Sequence, residues 1–173
     1  MTNRQTADVA FQDYVASRGQ ALTRMAYLLS GSHADADDLV QAALAKAYAR
    51  WPHISALGSP DAYVRRMIAN QHISWWRSRR RERLAAVTPD VAIADGSSSH
   101  ATADLVRDLV RSLPPKQRAA VVFRYYEDLE DEAIAAALGC SVGTVRSQIS
   151  RALASLRGHC DLAELITTPG GTP

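Results

Sequence analysis

The segment Glu130–Arg157 constrains the fold more than any other part of the sequence, because it is typical of two helices joined by a tight turn. Gly139 stands where a chain leaving a helix can adopt the left-handed conformation at least cost. Ser141 can cap the second helix, in which Val145 and Ile149 begin an apolar stripe at helical spacing. The opposite face of that helix is polar and contains Thr144, Arg146, Ser147, Gln148, Ser150 and Arg151.

Polar side chains of this kind hydrogen-bond base edges and phosphates in the major groove, so the segment predicts a DNA-binding helix-turn-helix. An ordinary helical hairpin with a solvated polar face would show the same pattern. The motif alone leaves both interpretations open, and the rest of the chain favours the first.

Positive charge is segregated along the chain, although the net charge is only +2. Residues 61–83 carry seven Arg against two acidic residues, and residues 141–157 carry three Arg and no acidic residue. Residues 84–140, which separate them, have a net charge of −4. Of the 20 basic residues 18 are Arg, whose planar guanidinium suits phosphates and guanine edges. Two basic segments predict two nucleic-acid contacts.

The first basic segment lies on a predicted helix that begins near Pro60, a residue favoured in the first turn. The helix ends in the sequence WWRSRRRER, with five Arg within Arg77–Arg83. A solvated helix end would also be rich in Arg. The interleaving with Ile73, Trp75 and Trp76 instead favours a nucleic-acid surface, because aromatic rings stack on unpaired bases while Arg binds phosphates.

Two further helices are predicted before it, roughly at Asp8–Leu29 and from Ser32 onward, followed by a loop at Trp51–Ser59 that is indicated by its Pro, Gly and Ser content. Ser32 and Asp35 make an acidic version of a capping box. Asp35, with the two aspartates that follow it, also suits the positive end of the helix dipole, so capping explains these acids without any partner.

Residues 85–103 lose the helical period and are rich in Pro, Asp, Gly and Ser, which is typical of a flexible linker. No strand pattern appears anywhere. We therefore predict an all-α protein of two small helical domains, at residues 1–84 and 104–158, joined by this linker and followed by a short mobile tail at 159–173.

Several functional classes are disfavoured by what the sequence lacks. No apolar run has the length of a membrane span, and the N-terminus has no signal-peptide core. Cys140 and Cys160 belong to no CxxC or Cys/His cluster, and the five His form no spaced pair. We expect a cytoplasmic protein with no metal, no cofactor and no catalytic site.

Four stretches, in this order, resemble the extracytoplasmic-function sigma factors of RNA polymerase, the compact group that keeps only sigma regions 2 and 4. They read DADDLVQAALAKAYARW, DAYVRRMIANQHISWWRSRRRER, LPPKQRAAVVFRYYEDL and GCSVGTVRSQISRALASLR. The ISWW followed by an Arg run resembles the SigE-like branch. The resemblance implies a region 2 helical bundle and a region 4 helix-turn-helix. It also implies a factor that binds core RNA polymerase, recognises the −35 and −10 promoter elements and melts the −10 region.

The same resemblance assigns residues to each contact. Docking on polymerase falls to Asp35, Asp37, Asp38, Leu39, Val40 and Gln41. The surface for the −10 element and melting comprises Arg65, Arg66, Asn70, Ile73, Trp76, Arg77, Arg79, Arg80, Arg81 and Arg83. The loop at 51–60 would capture a flipped base, and the polar face of the second helix of the helix-turn-helix would read the −35 element.

The chain departs from the family pattern at five positions. Asp37 stands where Glu is usual, Ala42 where an acid is common, and Ser74 where Asp is frequent. Glu130 and Ala133 replace the usual capping-box Ser and Glu, so the first helix of the helix-turn-helix loses a cap worth about 1 kcal/mol.

One alternative remains for the function: a stand-alone helix-turn-helix regulator that acts without polymerase. It would explain the C-terminal domain but not the Trp- and Arg-rich helix, and such regulators mostly bind duplex DNA as symmetric dimers. An anti-sigma factor is a further partner that the resemblance admits.

Overall fold

The computed structural model describes residues 3–85 and 101–167, which are almost entirely helical and contain no strand. The all-α prediction is confirmed. The described α-helices are α1 Asn3–Ser30, α2 His33–Ala49, α3 Trp51–Ala56, α4 Pro60–Ala85, α5 Ala101–Ser112, α6 Pro115–Val121, α7 Asp131–Leu138 and α8 Val142–Thr167. None of them is both long and apolar enough to cross a membrane.

Helices α1 to α4 form the first domain, in which α1 packs along α2 and α4. One apolar stripe of each helix faces the others, so that Leu22, Leu39 and Ile68 are fully buried. The predicted cap of α2 is present, since the backbone N–H of Asp35 donates to Ser32 Oγ at 3.3 Å. The sequence therefore predicts the start of α2 correctly.

The predicted loop at Trp51–Ser59 is wrong over its first part, because Trp51–Ala56 forms the short helix α3. Trp51 and Ile54, three residues apart, are both buried and anchor one face of this turn. The proline is in the first turn of α3, where its missing N–H leaves no helical bond unmade. Its presence was therefore compatible with a helix, and burial of the two apolar residues stabilises one.

Helices α5 to α8 form the second domain, in which α6 and α7 pack on α8. Gly139 ends α7 with a φ of 63°, and Ser141 Oγ accepts a hydrogen bond from the N–H of Thr144 at 3.1 Å. Val145 and Ala152 are fully buried and hold α8 in place. The helix-turn-helix is present as predicted, and α7 lacks a side-chain cap at Glu130, also as predicted.

The two domains pack against each other, α4 on α6 and α7, and α1 on α5 and α6. Arg118 of α6 is only 7% exposed and its guanidinium donates to three carbonyl oxygens. One belongs to Leu29 near the end of α1, and the others belong to Arg111 and Leu113 around the end of α5. Burial lowers the pKa of Arg118 to about 10, so the group stays charged at neutral pH while it joins the domains.

Two boundaries differ from the sequence prediction. The predicted linker at 85–103 lies mostly outside the described residues, and its edges, Ala85 and residues 101–103, are helical. The predicted tail from residue 159 is helical as far as Thr167, and residues 168–173 lie outside the described chain. Leu162, Leu165 and Ile166 continue a helical spacing that the Gly- and Pro-rich end of the sequence obscured.

Candidate nucleic-acid interface

Helix α8 exposes its polar face as the sequence predicts. Thr144, Arg146, Ser150 and Arg151 are exposed, whereas Gln148 is half-buried. The exposed hydroxyl of Ser147 donates to the carbonyl of Gly143 at 2.9 Å, within the helix itself. The cationic and hydroxyl groups that reach beyond the surface of α8 therefore share one side of the helix, which is the arrangement needed to enter a major groove.

Arg146 is held in place by a neighbour that the sequence did not single out. Its Nε donates to Oδ2 of Asp131 at 2.8 Å, while the other carboxylate oxygen of Asp131 accepts from Arg124. Hydrogen bonding from Arg146 holds the pKa of Asp131 below its usual value even though burial opposes it, and the charge of Arg124 adds to the effect. Asp131 therefore connects α8 to the segment that follows α6.

The two adjacent tryptophans of α4 have different environments. Trp75 is half-buried and packs on the core, with the guanidinium of Arg79 at 5.9 Å from its ring. Trp76 is 36% exposed, with the guanidinium of Arg80 at 5.4 Å from its ring. At 100° per residue, Trp76 is turned away from the apolar face of α4 on which Trp75 lies. Trp76 therefore offers a partly open aromatic face among cations.

The remaining predicted members of the −10 surface differ in how exposed their side chains are. Arg66, Arg77, Arg79, Arg80 and Arg81 are exposed. The side chain of Arg83 lies outside the described part of the chain. The assignment of Ile73 to the −10 surface is wrong, because the residue is only 8% exposed. Its apolar side chain belongs to the core, where it is shielded from water.

Arg65 and Asn70, also assigned to the −10 surface, each form a polar contact with the second domain. Arg65 forms an ion pair with Glu127, 3.0 Å between Nε and Oε2, and a second ion pair with Asp61. Asn70 Nδ2 donates to the carbonyl of Ala137 in α7 at 3.4 Å. In this arrangement both residues contact the second domain, with Arg65 half-buried and Asn70 still exposed.

The two carboxylates that pair with Arg65 have pKa values shifted in opposite directions. Burial raises the pKa of Glu127 above its usual value, with Arg65 opposing the shift. Burial would raise the pKa of Asp61 too, but hydrogen bonds from Arg18, at 2.8 and 2.9 Å, and the charge of Arg65 bring it below the usual range. One Arg thus stabilises a carboxylate from each domain.

A groove of about 300 Å³ separates α4 from α6 and α8. Trp76 and Arg77 line one side of it, and Lys116, Gln148 and Arg151 line the other. The cationic ends of the two predicted DNA surfaces therefore border the same cleft. Like charges across such a cleft repel, and a polyanion would reduce that repulsion.

The predicted polymerase-docking segment on α2 contains both buried and exposed residues. Leu39 and Val40 are buried in the core and support the helix rather than form its outer surface, which corrects their assignment. Asp37, Asp38 and Gln41 are exposed. Asp35 forms a bidentate pair with Arg79, at 2.9 and 3.0 Å, which holds its pKa below the usual range although burial opposes the shift.

The exposed faces of α2, α4 and α8 combine cationic, anionic, hydroxyl and aromatic groups. No group of three or more His, Cys, Asp or Glu that could hold a metal ion occurs among residues 3–85 and 101–167 whose side chains are described. The guanidiniums, hydroxyls, carboxylates and indole exposed on these helices are groups that bind phosphates, base edges and other proteins.

Comparisons with known proteins match two families along the chain. Residues 14–82 match the family Sigma-70 region 2, and residues 103–156 match the family Sigma-70, region 4. The chain is 42% identical over 156 residues to the RNA polymerase sigma-E factor of Streptomyces avermitilis, covering 90% of this chain and 87% of that protein. It is 43% identical over 148 residues to the RNA polymerase sigma-E factor of Streptomyces coelicolor, covering 85% and 84%.

Solved structures with a similar fold span both domains. The sigma factor RpoE of Bartonella quintana, in complex with the anti-sigma factor NepR, matches with a TM-score of 0.70 and 28% identity. That match covers 86% of this chain and 95% of RpoE. CnrH, in complex with the cytosolic domain of CnrY, matches with a TM-score of 0.63 and 25% identity, covering 92% of this chain and 95% of CnrH.

Proposed function

The chain belongs to the RNA polymerase sigma factors, in the extracytoplasmic-function group, and from this premise we propose how its surfaces divide the work of transcription initiation. The protein is a non-catalytic factor that binds core RNA polymerase and directs it to promoters with −35 and −10 elements. The observation that carries this function is the match to both sigma regions in order, together with an exposed cationic surface in each.

Polymerase docking belongs to the exposed acidic edge of α2. Asp37 and Asp38 present carboxylates within the first turns of the helix, and Gln41 follows one turn later on the same side. Leu39 and Val40 act from below by fixing α2 on the core. Asp35 is already engaged by Arg79, so it contributes to the fold of this edge more than to the contact.

The −10 surface is the exposed C-terminal half of α4. Trp76 supplies a ring on which an unpaired base can stack, and Arg77, Arg80 and Arg81 supply phosphate contacts along the separated strand. The −35 surface is the polar face of α8, where Arg146 and Arg151 are the residues suited to guanine edges or phosphates. Strand separation and duplex recognition thus fall to different domains.

The two surfaces cannot serve two distant promoter elements in the arrangement described above. Elements centred about 25 base pairs apart are separated by about 85 Å of duplex at 3.4 Å per pair. Here both surfaces border a single groove. The second domain therefore moves away from α4 when the promoter is bound, and Arg65 and Asn70 are then released for the −10 element.

A regulator that acts without polymerase is not favoured, since it would have no use for a complete sigma region 2 at residues 14–82. An anti-sigma factor is a further partner that we infer from RpoE, which was solved with NepR. The cytoplasm follows as the location, because the polymerase and the promoter are there.

Run-off transcription with purified core polymerase and a genomic fragment library tests this function. We expect discrete transcripts that appear only when the factor is added, and alignment of their upstream regions should give two elements. Core polymerase alone is the control. Binding of the free factor to defined duplex sites, with no promoter-dependent transcript, would instead support the stand-alone regulator.

A further inference from the structure

Asp131 occupies a position from which it can control how Arg146 meets DNA. It lies in the first turn of α7, one helix before the recognition helix, and its side chain is only 15% exposed. Its two oxygens are taken by two different cations, Arg124 on one and Arg146 Nε on the other. It is not a member of the predicted polar face of α8, so neither the motif nor the resemblance assigns it a role.

The point of attachment on Arg146 matters. A guanidinium has five N–H donors in one plane, and the carboxylate takes the one on Nε. Among the described residues, no group hydrogen-bonds the two terminal nitrogens of Arg146. These nitrogens can therefore contact a guanine O6 and N7 or a phosphate. Binding through Nε also fixes the plane of the guanidinium, which a side chain 69% exposed would otherwise not maintain.

Arg124 stabilises the anchor itself. A single carboxylate opposite one exposed Arg would be worth little, because two mobile side chains lose entropy when they pair. Asp131 is instead clamped from the other side by Arg124, whose side chain is 26% exposed. The positive end of the α7 dipole also favours a negative charge at this position. Arg146 therefore pairs with a group that is already immobile.

We propose that Asp131 is a positioning residue for −35 recognition, which presents the terminal nitrogens of Arg146 to one base pair by holding its Nε. This rests on the proposed function, and in particular on the assignment of Arg146 to the −35 contact. The Asp131 carboxylate has two opposing effects on DNA binding: it repels phosphates, and it orders the side chain of Arg146. Because the carboxylate is paired with two guanidiniums, its repulsion of phosphates is weak and the ordering of Arg146 dominates.

The test uses the full chain with core polymerase and a promoter recovered by run-off transcription, with each −35 base pair substituted in turn. Asp131→Ala should reduce the preference at one base pair by about three- to ten-fold, the range expected when one long side chain has to be ordered on binding. Arg146→Ala should lose preference at that same base pair, and the double variant should lose no more than Arg146→Ala alone.

Matched variants keep a structural effect apart from positioning. Glu132→Ala removes the next, exposed carboxylate of the same turn and should leave base preference unchanged. Asp131→Asn keeps the size of the side chain and should lose preference as Asp131→Ala does, with a melting temperature near that of the parent protein.

Three outcomes would overturn the proposal. Asp131→Ala could weaken binding equally on every promoter variant, strengthen it on all of them, or change preference at a base pair that Arg146→Ala does not affect. If Arg146→Ala leaves −35 preference intact, the assignment of Arg146 fails while the sigma function stands. If no promoter-specific transcript forms at all, the proposed function itself fails.

Discussion

His72 should make the stability of this protein fall as the solution becomes mildly acidic. It lies on α4, is 7% exposed, and borders a cavity of about 260 Å³ between the domains, which Asp35, Arg79 and Arg118 also line. Burial, reinforced by the charge of Arg118, lowers its pKa to about 4 from an unfolded value of 6.5. The folded protein therefore contains a neutral imidazole at pH values where the unfolded chain is protonated.

The sign follows from proton counting. Between pH 6.5 and pH 4 the unfolded state binds more protons than the folded state, so the free energy of unfolding decreases as the pH falls. With these two pKa values the loss between pH 7 and pH 5 is about 2 kcal/mol, at 1.36 kcal/mol per pH unit where the slope is full. Asp35 and Asp61, whose pKa values lie below 3.8, add their losses only at lower pH. Glu127, with a raised pKa, offsets part of the loss at the acidic end.

Urea unfolding followed by far-ultraviolet circular dichroism at pH 7, 6 and 5 would measure this slope. His72→Gln keeps a polar side chain of similar size that does not titrate, so its unfolding free energy should vary much less over the same range. His53→Gln removes an exposed His of α3 and should retain the parent slope. If His72→Gln folds and shows the parent slope, the explanation by a buried neutral imidazole is refuted.

The remaining predictions concern the surfaces and their contact. Trp75→Ala should lower the unfolding free energy by about 2–4 kcal/mol. Trp76→Ala should leave it nearly unchanged but reduce promoter opening, measured by permanganate reactivity of unpaired thymines. Changing both Asp37 and Asp38 to Arg should abolish retention on immobilised core polymerase, while the loss of dipole compensation at the start of α2 lowers the melting temperature only slightly and the protein stays folded. Glu127→Gln should weaken the ion pair between the domains and increase the radius of gyration measured by small-angle X-ray scattering.

Each of these has an outcome that contradicts it. Trp76→Ala could unfold the first domain as severely as Trp75→Ala, which would make the exposed ring a structural one. The double Arg variant could stay bound to polymerase and merely melt earlier, as expected if the acids only cap α2. If the radius of gyration of Glu127→Gln equals that of the parent protein, Arg118 and the apolar contacts hold the domains together without the ion pair.

Local features of this fold were predictable because local physics determines them. The Ser32 and Ser141 caps, the left-handed Gly139 and the buried stripes of α2 and α8 each follow from residues within a few positions of one another. The exposed indole of Trp76 was likewise readable from the helical wheel. Within single helices, spacing decides which side chain is buried.

Features that depend on distant residues were not predictable in this way. Arg65 and Glu127 are far apart in the chain and carry no periodic signal. Their ion pair forms only when α4 packs beside the segment that follows α6. Leu39 and Val40 were assigned by family pattern to a surface, although their own apolar spacing already indicated burial. Asp131 had no signal except an acid near the start of α7, which capping alone explains.

The buried contact made by Arg118 has a consequence for affinity. If the domains must separate before both promoter elements are bound, the free factor binds with its intrinsic affinity multiplied by the fraction of molecules that are open. Every 1.4 kcal/mol by which Arg118 and its three carbonyl partners favour the closed form then weakens the apparent affinity about ten-fold. The concentration at which the factor becomes active would then be set partly within the molecule, by one buried guanidinium and the backbone carbonyls that it binds.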